Sequence, residues 1–149
     1  MKDLVDYLQE LVAEGIEWVD ACDGDKMALK HTEYRWSKKE ILGHLIDSAL
    51  NNLRRFTEIQ FEDKPYPIIG YNQDELVKVN DYQNAQIQEI LNLWKSLNQR
   101  IAILISKQSD ETLSYEIIFG KGKLSNLKFL MTDYVDHMSH HLNQIMEHK

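Results

Sequence analysis

The sequence contains very little cysteine, proline and glycine. Its 149 residues include one cysteine, two prolines and six glycines. A single cysteine, Cys22, excludes an intramolecular disulfide and suits a reducing cytoplasm, which is where we expect the protein to act. Because proline and glycine interrupt helices, their scarcity leaves long stretches in which helices can run without a break.

Basic clusters and long apolar runs are also lacking. The formal net charge is −7, and neighbouring basic residues form pairs at most. A nucleic-acid-binding surface normally carries concentrated positive charge, so we expect no nucleic-acid partner. No apolar run approaches the length of about 18 residues that a membrane-spanning helix needs. The length is that of one ordinary domain, and we expect a single domain over 1–149.

Hydrophobic periodicity predicts four long amphipathic helices. Apolar residues recur at helical spacing over about 2–22, 38–61, 84–106 and 126–147. The second helix has the clearest start, since Ser37 and Glu40 form a capping-box pattern. The fourth is predicted to begin with Ser125 as its N-cap. Before it, the segment around Gly120 and Gly122 is interpreted as irregular or as a short hairpin.

A long connection separates the second and third predicted helices. It runs from about Glu62 to Tyr82, and residues 73–79 within it are a candidate short helix. A connection of this length is expected to cross the bundle and to cover a site. Four long helices with a crossover before the third predict an all-α four-helix bundle, in which metal sites are built from inward-pointing side chains of facing helices.

The last predicted helix carries a histidine motif in the stretch DYVDHMSHHLNQI, residues 133–145. At 100° per residue, His141 falls inside the apolar stripe of the helix and His137 lies at its edge, whereas His140 points away from it. Histidines four residues apart are neighbours on a helix and can share one metal ion. Two buried, hydrogen-bonded core histidines account for the same pattern, so the pair alone leaves both interpretations open.

A third metal ligand must come from another part of the chain. His31 lies in a predicted loop and His148 close to the last residue, which leaves His44 in the second helix. His44 shares the edge of the apolar stripe with Arg55, whereas Asp47 is assigned to the solvent side. Three neutral imidazoles would leave a coordination position open, as in catalytic rather than structural metal sites.

These stretches resemble the DinB-like superfamily, the damage-inducible four-helix bundle proteins. The resemblance covers nearly the whole chain and rests on WSKKEILGHLIDS, YNQDELVKVNDYQNA and the histidine stretch. It implies a metal triad of one histidine in the second helix and an HxxxH pair in the fourth, which falls on His44, His137 and His141. It also implies zinc or nickel as the metal, and a homodimer.

The resemblance implies a range of activities. Members resemble metal-dependent hydrolases, thiol S-transferases and thiol-dependent isomerases, so we expect a transferase or hydrolase that acts on a small molecule, with a low-molecular-weight thiol as a candidate partner. Many members follow the last ligand with Arg-Gly before Gln. This chain has Leu142 and Asn143 there and keeps only Gln144. This chain therefore has no arginine at that position to bind an anionic substrate.

Arg55 and Asp133 are further candidate catalytic residues. Arg55 is a candidate for binding an anionic thiol, although a surface ion pair is the simpler explanation. Asp133, one turn before His137, is a candidate general base or a partner that orients His137. A carboxylate in the N-terminal half of a helix is also stabilised by the helix dipole, which explains Asp133 without a catalytic role. A non-catalytic metal-binding or stress-response bundle that forms dimers is the alternative function.

Overall fold

The computed structural model describes residues 1–147, so His148 lies outside the described residues. In chain order, the helices are α1 (Lys2–Ala21), α2 (Gly24–Ala28), α3 (Lys38–Glu58), α4 (Gln73–Val79), α5 (Ile87–Ser106), α6 (Asp110–Leu113) and α7 (Leu127–Met146), with a 3₁₀ turn at Tyr82–Asn84. Within the described part of the chain, none of these helices combines the length and apolar character that crossing a membrane requires.

The long helices α1, α3, α5 and α7 form the four-helix bundle predicted from periodicity. Both α1 and α3 pack against α5 and α7, so α1 and α3 occupy opposite corners. The crossover between α3 and α5 therefore joins neighbouring helices, whereas the other two connections join helices at opposite corners. The histidine-bearing helices, α3 and α7, are neighbours.

The apolar stripe predicted for α7 faces the core. Its members are buried, with exposed fractions of 3% or less: Leu127, Met131, Tyr134, Met138, Leu142 and Ile145. On the facing helices, Phe56 of α3 and Trp94 of α5 are the largest fully buried side chains. Periodicity therefore located the buried face of α7 correctly, and with it the position of the histidines relative to the core.

The predicted capping box starts α3. The Ser37 hydroxyl accepts a hydrogen bond from the Glu40 N–H, and the Glu40 carboxylate accepts one from the Ser37 N–H. These two bonds satisfy backbone donors that have no partner inside the helix. The first turn of α3 is thereby fixed, one turn before His44.

A small sheet lies beside the end of α3 and the start of α7. Strand β1 (Tyr66–Ile68) pairs in parallel with β2 (Glu116–Phe119), and β2 pairs antiparallel with β3 (Leu124–Asn126). The turn of this hairpin contains Gly122 at φ +80°, a conformation that favours glycine. The prediction that Ser125 caps α7 is wrong, because Ser125 belongs to β3 and Asn126 is the cap.

The crossover docks onto α3 through Tyr82. The Tyr82 ring lies so close to Gly43 that an added Cβ would be 2.1 Å from it. The Tyr82 hydroxyl donates a 2.6 Å hydrogen bond to Asp47 Oδ1, which also accepts one from Asn80. Asp47 is 2% exposed, so its assignment to the solvent side is wrong. Burial raises the pKa of its carboxyl group, and the two hydrogen bonds oppose that rise.

Candidate metal centre

Three histidine side chains converge between α3 and α7. His44 comes from the second turn of α3, and His137 and His141 come from successive turns of α7. One nitrogen from each ring lies within 4.8 Å of the others. The Nε2 atoms of His44 and His137 are 3.2 Å apart, and the ring centroids are separated by 4.5 to 5.1 Å. The fold thus brings together the three residues selected from the sequence.

The spacing and chemistry of the cluster fit a divalent cation. Two imidazole nitrogens on zinc, at about 2.0–2.1 Å and a near-tetrahedral angle, stand roughly 3.3 Å apart. The 3.2 Å between His44 and His137 is close to that value. Nδ1 of His44 is fully buried and has no hydrogen-bond partner among residues 1–147. The other ring nitrogen, Nε2, is turned towards His137 and is therefore the nitrogen of His44 that is available to a cation.

Burial keeps these imidazoles neutral at pH 7. Burial lowers the pKa of His44 to about 4, with further lowering by His141 and His137. Burial also lowers the pKa of His137 to about 4, with smaller effects of His141 and His140. The pKa of His141 is lowered as well, again chiefly by burial. A neutral imidazole keeps the lone pair that binds a cation, so the cluster is in its metal-binding form.

Gln144 and Trp36 restrain the histidine rings. Gln144 Oε1 lies 2.8 Å from Nδ1 of His141. When the ring N–H donates to that oxygen, Nε2 is left as the unprotonated nitrogen of His141. Trp36, which directly precedes the cap of α3, has its ring centroid 4.8 Å from that of His44. Both rings are therefore held from outside the cluster.

A cleft of about 680 Å³ lies next to the cluster, and none of the three histidines forms part of its wall. Trp36 and Gln144, the neighbours of His44 and His141, both form part of its wall. Clefts of a few hundred cubic ångströms are the usual size for small-molecule sites. The arrangement therefore places three neutral imidazoles beside a space that can hold a small molecule.

The sequence profile of the DinB superfamily matches residues 2–145. The chain belongs to the DinB superfamily. It is 27% identical, over 83% of its length and 72% of the relative, to the "Putative metal-dependent hydrolase BH0277" of Halalkalibacterium halodurans. It is 23% identical to the similarly named YfiT of Bacillus subtilis, over 96% of the chain and 80% of the relative.

Solved structures of the same fold are also similar to this chain. The structure of Bacillus subtilis YfiT, described as a probable metal-dependent hydrolase with an unusual four-helix bundle topology, superposes with a TM-score of 0.85 at 21% identity. That match covers 97% of this chain and 82% of YfiT. A mycothiol-dependent maleylpyruvate isomerase superposes with a TM-score of 0.73 at 12% identity, over 99% of this chain and 61% of the isomerase. These structures identify the DinB-like bundle as the fold of the chain.

Arg55 is not part of the histidine cluster. It lies about three turns, or roughly 16 Å, from His44 along α3. Its guanidinium donates a 2.5 Å hydrogen bond to the backbone carbonyl of Ile69 and lies over the Tyr71 ring. Arg55 therefore holds the crossover connection in place, and substrate binding by Arg55 stays a prediction.

Asp133 also stands apart from the cluster. Its side chain is exposed, and no hydrogen bond within residues 1–147 joins it to His137. The carboxyl group is nonetheless partly shielded from water, and this desolvation, together with the charge of the nearby Asp136, raises its pKa. A role as general base would require a substrate or a water molecule to bridge the gap, and it too stays a prediction.

The sequence gives no signal for the structural role of Lys38, which appears there only as one of two adjacent lysines. Its ammonium group donates hydrogen bonds to the backbone carbonyls of Gln144, at 3.3 Å, and Glu147, at 2.6 Å, and also to that of Ile145. A cation there satisfies carbonyls at the end of α7 and complements the helix dipole. Lys38 thus ties the start of α3 to the end of α7, close to the histidines on both helices.

Replacing Gln144 with leucine is expected to weaken metal binding by about 10- to 100-fold, the usual effect of losing a residue that orients a ligand. The reason is that His141 would lose the acceptor that fixes its protonated nitrogen. A competitive titration against a chromophoric chelator measures the change. Gln144→Glu keeps an acceptor and should retain affinity. Unchanged affinity in Gln144→Leu would mean that another group orients the ring.

The metal-free protein is expected to lose stability as the pH falls from about 6.5 towards 4. The ordinary histidine pKa of about 6.5 applies to the unfolded chain. In the folded chain the pKa values of His44 and His137 are about 4. Between these values the unfolded state binds more protons, so acid favours unfolding, and the stabilisation is fully present only above pH 6.5.

Urea denaturation across this pH range, with chelator present, measures the effect. A His44→Gln/His137→Gln double variant removes both groups and should show a flatter pH dependence than the parent. A His31→Gln variant, altered in an exposed loop, is the control and should keep the parental dependence. If the double variant kept the full pH dependence, the two rings would not be the source of it.

Proposed function

We propose that the chain is an enzyme that binds a divalent cation, zinc or nickel, through His44, His137 and His141 and acts on a small molecule in the adjoining cleft. The observation that carries the proposal is the convergence of three neutral imidazoles beside that cleft. The relatives named as metal-dependent hydrolases support it. Bound there, the cation would supply Lewis-acid chemistry, lowering the pKa of a thiol or a water molecule at the open coordination position.

The charge of the site favours an anionic ligand at that open position. Neutral imidazoles do not compensate the charge of a divalent cation, and no Asp, Glu or Cys joins the cluster within the described part of the chain. A thiol, with an ordinary pKa of about 8.5, needs less help to ionise than water, with a pKa of about 15.7. A cluster without an adjacent general base therefore suits a thiol, and thiol S-transfer is our first candidate reaction.

In thiol S-transfer, the sulfur of the thiolate forms a bond to an electrophilic carbon, and the leaving group departs with its electron pair. The thiol proton passes to solvent. The mycothiol-dependent isomerase with a similar fold is compatible with such chemistry. In this chain, the histidines would hold the cation, Gln144 would orient His141, and Trp36 would cover His44.

Hydrolysis is the second candidate reaction. The names of the relatives favour it, and the same three histidines would serve it. Because water is a weaker acid than a thiol, hydrolysis needs a general base more than thiol S-transfer does. Asp133 is the candidate for that base. The raised pKa of Asp133 makes it a better proton acceptor than an ordinary aspartate, but its exposed position argues against a direct contact.

An assay with two substrates separates the candidates. Zinc- or nickel-loaded protein is incubated with 1-chloro-2,4-dinitrobenzene, with and without a thiol, and separately with p-nitrophenyl acetate. Conjugation that needs both the metal and the thiol would support S-transfer, whereas thiol-independent ester cleavage that needs the metal would support hydrolysis. Protein with full metal content and neither activity would favour the non-catalytic bundle. Light scattering on the same sample tests the predicted homodimer.

A further inference from the structure

The end of α7 is held by a side chain from another helix. Over its described range, Leu127–Met146, α7 carries no basic residue in its last turn, and Glu147 follows it in an extended conformation. The final carbonyls of a helix lack partners inside the helix, and a glycine cap or a cation in the last turn commonly satisfies them. Within α7 as described neither is present, so the last turn relies on a contact from elsewhere in the fold.

Lys38 supplies that contact from the start of α3. Its ammonium group donates hydrogen bonds to the backbone carbonyls of Gln144, at 3.3 Å, and Glu147, at 2.6 Å, and also to that of Ile145. The same ammonium lies 5.2 Å from the centre of the Trp18 ring of α1. One side chain therefore joins three helices of the bundle, at the end where α3 begins and α7 finishes.

The position of Lys38 is unfavourable for α3 itself. Lys38 is the first residue of that helix, where the helix dipole favours a negative charge and disfavours an ammonium group. A residue that breaks a local rule in this way is compensated by a gain outside its own element. For Lys38 the gain lies at the end of α7, where the dipole of that helix favours a cation.

Gln144 connects this contact to the histidine cluster. Its backbone carbonyl is bound by Lys38, and its side-chain oxygen lies 2.8 Å from Nδ1 of His141. Helix ends fray unless they are held, and the side chain of Gln144 moves with its backbone. Fraying of the last turn would therefore carry the oxygen away from the His141 ring. A chain of contacts thus runs from Lys38 through Gln144 to His141.

We propose that Lys38 is a positioning residue of the metal centre: it holds the last turn of α7, so that Gln144 keeps His141 in its metal-binding orientation. This inference rests on the proposed function and adds to it a residue that is not one of the three histidines. Lys38 acts on His141 through Gln144. His137 lies one turn further from the end of α7 and depends less on this contact.

Competitive titration of zinc against a chromophoric chelator tests the proposal. Lys38→Met keeps an unbranched side chain and removes its charge and its hydrogen bonds. It should weaken zinc binding by about tenfold, the lower limit for losing a residue that orients a ligand. Lys38→Arg keeps donors for the same carbonyls and should restore most of the affinity. Parental affinity in Lys38→Met would overturn the proposal, and so would an affinity of Lys38→Arg as low as that of Lys38→Met.

Lys39→Met is the matched control. Lys39 is the next residue of the same turn, and its ammonium donates a 3.3 Å hydrogen bond to the backbone carbonyl of Gln83 in the crossover. Both variants lose one positive charge and a contact to a distant carbonyl, so both should lose some stability in urea denaturation. Only Lys38→Met should lose zinc affinity. An equal loss of affinity in Lys39→Met would point to a general loosening of the fold and would overturn the proposal.

A double variant tests the route through Gln144. If Lys38 acts by keeping Gln144 on His141, Lys38→Met/Gln144→Leu should bind zinc as weakly as Gln144→Leu alone, because the contact that Lys38 protects is already gone. Additive losses of affinity would mean that Lys38 acts on the cluster by another route, and they would overturn the proposal as stated.

Nitrogen NMR of the metal-free protein separates this proposal from the proposed function. With chelator present, the His141 ring of the parent should be a single tautomer with its proton on Nδ1, and Lys38→Met should show a mixture of both tautomers. This comparison needs no metal, so it still applies if elemental analysis of zinc-treated parent protein finds none and the proposed function fails. An unchanged single tautomer in Lys38→Met would reject the positioning role itself.

Discussion

His44→Ala is expected to abolish stoichiometric metal binding, with a loss of affinity greater than about 100-fold. A ligand contributes more than the residues that orient it, whose loss alone costs 10- to 100-fold. His44 is the part of the cluster that α3 supplies, and the two remaining rings both come from α7. Two ligands rarely make a site, since zinc is almost always held by at least three protein groups. Elemental analysis and a competitive chelator titration measure the result.

The control for this experiment is His140→Ala. The His140 ring lies 5.1 Å from that of His141, on the same helix, but His140 is exposed and outside the cluster. Its removal should leave the metal content unchanged, whereas His137→Ala and His141→Ala should behave like His44→Ala. Full metal content in all three cluster variants would refute the metal centre and both candidate reactions. Circular dichroism on each variant shows whether the fold is retained.

Gly43→Ala is expected to lower the free energy of unfolding by about 3 kcal/mol, at the upper end of the usual cost of overpacking. The new Cβ would lie 2.1 and 2.2 Å from two atoms of the Tyr82 ring, well inside contact distance. The ring has little freedom to move away, because its hydroxyl is bonded to the buried Asp47. Urea denaturation measures the change. We also expect weaker metal binding, since the residue adjoins His44.

Two further variants identify the cause of this effect. Gly24→Ala is the matched control, because nothing lies within 4 Å of a Cβ added there, and its stability should stay close to that of the parent. Gly43→Ala/Tyr82→Ala removes the ring atoms at 2.1 and 2.2 Å and leaves the Cβ of residue 82 at 2.8 Å, so the double variant should cost much less than the sum of the two single changes. Simple additivity would mean that Gly43 is needed for a reason other than space.

Periodicity predicted the helices and the convergent histidines because both depend on local pattern. A residue in an amphipathic helix faces the core when it lies within the apolar stripe, and this rule placed His137 and His141 beside the buried face of α7. His44 followed by elimination and by the resemblance. Whether α3 and α7 would be neighbours could not be derived from either helix alone, since that depends on how all four helices pack.

The errors involve contacts that the pattern of a single helix does not report. Asp47 was assigned to the solvent side by its position relative to the apolar stripe of α3, but partners from the crossover satisfy one of its oxygens. Ser125 was taken as a cap because its pairing with β2 could not be foreseen. The parallel pairing of β1 with β2 and the ties from Lys38 to the end of α7 are equally non-local. Local propensity does not report such contacts.

Because His44 and His137 are 93 residues apart along the chain, the histidine cluster cannot form until α7 has been synthesised. A growing chain that has not reached residue 137 offers one of the three imidazoles and should hold a divalent ion only weakly. Metal uptake would then follow folding, and the bound ion would stabilise only the finished bundle, by an amount that grows with the free metal concentration. Protein that has acquired its metal is therefore protein whose first and last histidine-bearing helices have already met.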